Sequence, residues 1–157
     1  MKAYKVVIEG INGKYYSAIM FGCNDFRKEY KIGKWVYAKR KYLEWGLGLF
    51  AFKDYDAAKY FRYKYILNFP DVKIFECEIG QILPLPEFSI HWFDPGEYKS
   101  ILRLLKKHGR VFIEECLKFG SPKSNWPIGT ICTDKIKLIK EIKDENRDFC
   151  QTEEIEE

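Results

Sequence analysis

Histidine is nearly absent from this chain, with His91 and His108 as the two examples among 157 residues. The sequence contains no H-E-x-x-H motif and no closely spaced cysteine pair, so it predicts no zinc site, no other bound metal and no cofactor. Imidazole is the usual base beside a serine or cysteine nucleophile, and its scarcity disfavours that kind of catalysis. The classes of function that remain are catalysis by carboxylate side chains and binding without catalysis.

Long apolar runs are lacking as well. The first run, ahead of Glu9, has three residues, which is too short for a signal peptide, and no stretch approaches the roughly 20 apolar residues of a membrane span. No disulfide framework is expected, because the cysteines are odd in number and widely spaced. They are Cys23, Cys77, Cys116, Cys132 and Cys150. We therefore expect a cytoplasmic protein without membrane contact.

Charge is abundant but unevenly distributed. Residues 144–157 contain seven acids and one base, whereas residues 1–143 contain 26 bases and 16 acids. The basic body suits an acidic partner, either nucleic acid or an acidic protein surface. The acidic tail could shield that body in cis, although solvated disorder is the simpler interpretation.

Periodicity predicts the elements, since apolar residues at every second position indicate strands and a three- and four-residue spacing indicates helices. The predicted strands cover residues 4–9, 14–20, 35–38, 47–52, 72–79 and, as one strand or two, 130–142. The predicted helices are one capped by Asp54 that buries Ala57, Ala58, Phe61 and Tyr65, one over 95–108, and, slightly favoured over a strand, 110–119. Together they predict a single α+β domain over 1–143, with a largely antiparallel sheet of about five to seven strands and two or three packed helices.

Glu76 and Glu78 form the best acidic pair. Two residues apart on a predicted strand, they project from one face roughly 7 Å apart, a spacing that suits a divalent cation or a sugar bond. The more common explanation of such a pair is an ordinary solvated face. A nuclease arrangement built from Asp71 and residues 97–99 does not fit its context, because Glu97 is better placed as a helix cap, and a metal-dependent nuclease is therefore the third function considered.

Residues 26–45 alternate basic and aromatic side chains. Those expected to bind nucleic acid or another acidic partner are Arg27, Lys31, Lys34, Trp35, Arg40, Lys41 and Trp45. Cations would contact phosphates while the aromatic rings stack on unpaired bases. The alternative is that the aromatic residues belong to the core and the lysines are their solvated neighbours. Gly46 and Gly48 lack the third glycine of a dinucleotide motif, and a tight turn explains them.

Several short motifs occur together along the chain. They are Tyr4-Lys5-Val6-Val7, Ser17-Ala18, residues 30–35, residues 48–52 with Ala57, Ala58 and Phe61, residues 75–78, and Pro127-x-Gly129-Thr130 with Asp134-x-x-Lys137-Leu138. In this combination the chain resembles a family of small uncharacterised proteins of phages, prophages and bacteria over most of residues 1–142.

The resemblance implies a viral or mobile-element accessory protein. Such a protein would act in the host cytoplasm, and binding or disabling a component of host defence is the role it suggests. Residues 86–119 look like a helical insertion in the family pattern, and residues 144–157 are an acidic tail that we expect to be disordered. The favoured function is therefore a non-enzymatic binding module whose partner is a host protein or nucleic acid.

A second resemblance is to ADP-ribosyltransferases, and it implies a nucleotide-using enzyme. Ser17, residues 48–52 and residues 58–61 match parts of the NAD-binding core, and Glu76, Glu78 or Glu141 could serve as its glutamate. The first strand lacks the arginine or histidine of that family, and no late glutamate stands out. The catalytic candidates under this alternative are Glu76, Glu78 and Ser17.

Overall fold

A computed structural model of the chain describes residues 2–18, 28–67, 69, 71–85, 95–109, 111 and 126–143. Nine strands and three helices lie within these residues. The predicted segment 110–119, apart from Val111, and the acidic tail 144–157 lie outside them.

The strands pair antiparallel throughout. They are β1 (Lys2–Glu9), β2 (Tyr15–Ser17), β3 (Glu29–Tyr30), β4 (Trp35–Tyr37), β5 (Leu49–Phe52), β6 (Val72–Ile79), β7 (Ile82–Leu83), β8 (Thr130–Thr133) and β9 (Lys135–Ile142). The helices are α1 (Arg40–Glu44), α2 (Tyr55–Tyr65) and α3 (Pro95–His108). The predicted α+β class is confirmed. The strand number exceeds the expected one, because β3 and β7 have two residues each and show no alternation.

The sheet pairings form a closed ring. β6 continues into β7 across Gly80 and Gln81, and β8 continues into β9 across Asp134, so that β6 pairs with β9 while β7 pairs with β8. β8 also pairs with β5, β5 with β1, and β1 with β6, which returns to the starting strand. β4 extends the sheet beyond β9, and β2 and β3 extend it beyond β1.

Two hydrophobic clusters occupy the two sides of this sheet. The inner cluster includes Ala3, Val7, Tyr30, Leu49, Ala51, Phe75, Cys77, Ile79, Ile136 and Leu138. The outer cluster joins the opposite strand faces to the helices and includes Val6, Ile8, Tyr42, Trp45, Phe50, Phe52, Ala57, Ala58, Phe61, Ile74 and Leu105. Alternate residues of one strand thus enter different clusters, as the pleat requires. Both faces of the central strands are consequently buried over much of their length.

The segment that leads from β5 into α2 folds as predicted. Asp54 Oδ1 accepts a hydrogen bond of 2.8 Å from the amide of Ala57, which satisfies one of the first amides of α2. The helix then buries Ala57, Ala58 and Phe61. Gly46 has a φ of 81°, so a turn explains this glycine, but Gly48 has another cause. A Cβ there would lie 2.6 Å from the Thr133 carbonyl oxygen, because β8 approaches closely.

Candidate functional site

β4 and β9 place two aromatic rings opposite two lysines. Trp35 pairs with Lys137 and Tyr37 pairs with Lys135 across the two strands. Residues directly opposite one another on antiparallel strands project to the same face. Val36, between the two aromatic residues, packs against the inner cluster, so the four side chains lie on the outer side. We call this set, Trp35, Tyr37, Lys135 and Lys137, the Trp35 face.

The ammonium groups of the Trp35 face lie over its aromatic rings. Lys135 Nζ is 4.4 Å from the centroid of the Trp35 ring, and Lys137 Nζ is 4.9 Å from it. Lys135 Nζ is also 6.0 Å from the Tyr37 centroid. These distances are those of cation–π pairs, which are strongest with tryptophan. Tyr37 is 58% exposed, so the face combines positive charge with aromatic surface that solvent can reach.

The turn between β3 and β4 contains two further cations, which precede Trp35 in the chain. Lys31 and Lys34 are both exposed, and the Lys34 amide donates to the Lys31 carbonyl over 3.1 Å. The Gly33 amide donates over 2.8 Å to the Leu138 carbonyl of β9, which fixes the turn against the sheet. Lys31, Lys34 and Trp35, which the sequence predicted as binding residues, are therefore close together.

The other predicted binding residues are placed differently. Arg40 and Lys41 are exposed on α1, a helix that the sequence did not predict. Trp45 is 6% exposed and stacks on Tyr42 with ring centroids 5.7 Å apart, so its ring belongs to the outer cluster. A base could not stack on Trp45 without displacing it from that cluster. Arg27 lies outside the described residues.

Glu76 and Glu78 lie on the outer side of β6, and both form ion pairs. Glu76 pairs with Lys2 and, over 3.6 Å, with Lys140, while Glu78 pairs with Lys137 over 3.3 Å. Lysines of both neighbouring strands therefore neutralise the two carboxylates. The ion pairs form a charge ladder across the sheet, in which the Glu78 side chain is exposed and the Glu76 side chain is largely covered.

Ser17 lies apart from the two glutamates. It is 5% exposed and opposite Val7, so its side chain belongs to the inner side of the sheet, whereas Glu76 is opposite Tyr4 on the outer side. The three predicted catalytic residues thus do not share a surface.

Ser17 instead binds Lys5, which is 1% exposed. Lys5 Nζ donates to Ser17 Oγ over 2.8 Å and to the Phe50 carbonyl oxygen over 2.5 Å. It also lies 5.2 Å from the centroid of the Tyr30 ring. Burial lowers the pKa of Lys5 to about 7, because desolvation disfavours the ammonium form. The sequence showed Lys5 within a strand but carried no signal that both sides of this strand are buried.

Lys5 joins two branches of the sheet. Along one edge of β1 the partner changes from β5, at Tyr4 and Phe52, to β2, at Val7 and Ser17. Lys5 lies between these two pairings, and its ammonium bonds one group from each partner strand. Ser17 and Lys5 have the residue types of a serine–lysine pair, and both are buried inside the ring. Their contact ties β2 and β5 together beside β1.

A groove of about 760 Å³ lies away from the Trp35 face. Its walls are the second half of α2, the start of β6 and the end of β9. The sequence led us to expect that residues 46–61 together with Glu76 and Glu78 would line any pocket. Of these, Lys59 alone lines this groove. The reason is that the segment from β5 into α2 is buried in the outer cluster and the glutamates face lysines.

Among the described residues, no group of three or more His, Cys, Asp or Glu side chains could hold a metal ion. In the same part of the chain, no helix has the length and apolar character that crossing a membrane requires. Comparison of the chain with protein-family models, curated proteins and solved structures finds no match.

Proposed function

We propose that this protein is a non-enzymatic binding module that holds single-stranded nucleic acid on the Trp35 face. The observation that carries the proposal is the placement of Trp35 and Tyr37 on one face with Lys135 and Lys137 directly opposite them. Aromatic rings on alternate residues of a strand, about 7 Å apart, offer stacking surfaces for two bases. The lysines are suited to the phosphates that join those bases.

The turn that leads into Trp35 contains two further cations. Lys31 and Lys34 are exposed there, so an oligonucleotide that stacks on Trp35 has further cations close by in the chain. Each base–aromatic stack contributes about 1–3 kcal/mol, and each neutralised phosphate adds to the salt dependence of binding. Two stacks and a few phosphates describe a weak site with little sequence preference.

The phage-type resemblance supports a biological setting for this site. A basic module in the cytoplasm of a host could bind nucleic acid that is also the target of a host defence component, or an acidic surface of that component itself. Geometry favours the nucleic acid, because the exposed Tyr37 and the half-buried Trp35 provide aromatic surface as well as charge. The transferase alternative has less support, since Ser17 is buried and Glu76 and Glu78 lie on the other side of the sheet.

Fluorescence anisotropy with a labelled oligothymidylate tests the proposal. We expect binding that weakens steeply between about 50 and 200 mM salt, with a smaller salt slope in the Lys135→Gln variant. Tyr60→Ala is a matched control, because Lys64 Nζ lies 5.6 Å from the Tyr60 ring and forms a similar cation–π pair on α2. It should bind like the native chain.

An absence of salt-dependent binding to any single-stranded oligonucleotide would overturn the proposal. So would equal losses in Trp35→Ala and Tyr60→Ala, since the site would then not be the Trp35 face. If an acidic host protein bound that face while oligonucleotides did not, the partner class would be protein.

A further inference from the structure

The groove beside α2 has an apolar lining that remains partly open to solvent. Leu67 is 58% exposed and Phe69 is 45% exposed, and both line it together with Ile66 and Ile142. Exposed large apolar side chains grouped in one concavity commonly mark a binding site. The groove can therefore accept an apolar side chain from a segment that lies along it.

The groove is also rich in positive charge. Lys73 and Glu141 are both lining residues and pair with each other over 3.7 Å. The remaining charged residues of the lining are Lys59, Arg62, Lys143 and Asp71. Among the lining residues outside that pair, cations outnumber carboxylates by three to one, and this composition favours an acidic occupant.

The chain itself supplies a segment of that kind, directly after the groove. Lys143 is a lining residue, and Asp144 is the next residue in the sequence. Residues 144–157 contain seven acids and one base. Phe149 and Ile155 lie among these acids. An acidic segment with spaced apolar residues matches a cationic groove with an apolar lining.

We propose that residues 144–157 dock in this groove, with their carboxylates on Lys59 and Arg62 and an apolar residue against Leu67 and Phe69. The segment follows Lys143, a lining residue, in the chain, so binding is intramolecular and benefits from an effective concentration of millimolar order. Fourteen residues can extend over as much as roughly 45–50 Å, so the segment is long enough to turn back into the groove without strain.

This docking is separate from nucleic-acid binding at the Trp35 face. Lys137 and Ile142 are five residues apart on β9, which corresponds to roughly 16 Å. The two sites therefore occupy opposite ends of one strand. A phosphate-rich ligand is a poorer occupant of the groove, because seven acids attached at its rim compete for the same cations.

A nitroxide on Cys150 of the full-length chain tests the proposal by NMR. Cys77 and Cys132 are buried, so labelling can be restricted to Cys150 by the changes Cys23→Ser and Cys116→Ser. We expect the amide signals of Lys59, Arg62 and Lys73 to lose most of their intensity, and those of Trp35 and Tyr37 to keep theirs. The loss should disappear in about 0.5 M salt, where the screening length is roughly 4 Å.

Charge variants provide the controls. Lys59→Glu combined with Arg62→Glu should abolish the intensity loss, while Lys31→Glu combined with Lys34→Glu should leave it unchanged. A charge swap that adds Glu153→Lys and Glu154→Lys to the first variant should restore part of the loss, which distinguishes lost docking from a damaged fold. Uniform or absent broadening in the native chain, or broadening centred on Trp35 and Tyr37, would overturn the proposal.

Discussion

Inside the ring of strands the ammonium of Lys5 lies 5.2 Å from the Tyr30 ring centroid, and on the outer side that of Lys135 lies 4.4 Å from the Trp35 centroid. Both pairs place a lysine nitrogen over an aromatic ring, and they differ in burial. Lys5 is 1% exposed and bonds Ser17 and the Phe50 carbonyl, so its role is to hold strands together. Lys135 is only partly buried, so its charge and the neighbouring ring remain available to a partner.

The comparison teaches that a lysine–aromatic pair does not by itself indicate a binding site. Within the ring, the nitrogen of Lys5 already donates hydrogen bonds to Ser17 Oγ and the Phe50 carbonyl oxygen. On the Trp35 face, water contacts the ammonium groups and the aromatic rings. A phosphate or a base that displaces this water makes contacts of similar strength. Variants of the interior pair should therefore change the stability of the chain, whereas variants of the outer pair should change its affinity for a ligand.

The largest expected effect is that of Lys5→Ala on stability. The change creates a cavity. It also deprives two buried groups, Ser17 Oγ and the Phe50 carbonyl, of the donor that joins them. Together these effects should cost about 3 kcal/mol in the free energy of unfolding. Lys5→Met, which keeps most of the volume, should cost less. Urea unfolding measures both. Lys135→Ala is the control and should change stability by no more than about 0.5 kcal/mol, and equal effects of Lys5→Ala and Lys135→Ala would contradict the comparison.

The next effect is a dependence of stability on pH that belongs to Lys5. Its pKa is about 7 in the folded chain and 10.5 ordinarily, so above pH 7 the unfolded chain binds more protons and stability rises with pH. The slope can reach about 1.4 kcal/mol per pH unit. Burial raises the pKa of Cys77 to about 12 and that of Cys132 to about 11, and both thiols oppose this trend above pH 9.

Thermal unfolding between pH 7 and 8.5 is thus the diagnostic measurement. The melting temperature should rise across this window in the native chain and be nearly constant in Lys5→Met. A rise that persists in Lys5→Met would assign the titration to another group.

Trp35→Ala should act on binding and leave stability almost unchanged. The lost stack corresponds to about a ten-fold rise in the oligonucleotide Kd, at the lower end of 1–3 kcal/mol per base. Anisotropy and urea unfolding of the same variant check the two halves of this expectation. A loss of stability as large as that of Lys5→Ala would show that Trp35 is a core residue like Trp45.

The smallest expected effect is that of Glu78→Gln. Removal of the carboxylate releases Lys137 from its 3.3 Å ion pair and removes a like charge from the path of a phosphate, so affinity for an oligonucleotide should rise about two-fold. Stability should change by less than about 0.5 kcal/mol. If Glu78→Gln instead abolished a nucleotide-dependent activity, Glu78 would regain the catalytic role that the sequence suggested.

Much of the fold could be predicted from local pattern. Alternation over 72–79 and the helical spacing over 95–108 correspond to β6 and α3 with the predicted bounds, and the Asp54 cap is present. In each case the signal lies within one short window of sequence. α1 was missed, because five residues provide little periodicity and Lys39, its N-cap, makes no side-chain capping bond.

The candidate site was less accessible to prediction. The local run of basic and aromatic residues predicted Lys31, Lys34 and Trp35. The Trp35 face includes Lys135 and Lys137 only through a strand pairing between residues about 100 positions apart. The core role of Trp45 depends on its stack with Tyr42 after α1 has formed. The burial of Lys5 follows from the closure of the ring. None of these properties is encoded in the residues next to the side chain concerned.

Closure of the ring also sets an order for synthesis of the chain. The β1–β6 pairing is available once residue 79 has left the ribosome, but β5 gains its second neighbour only when β8, at Thr130–Thr133, follows about 50 residues later. At 5–20 residues per second this interval lasts several seconds. During this interval the nascent chain has unpaired strand edges that chaperones or other copies of the chain can bind. These edges are paired once the chain is complete.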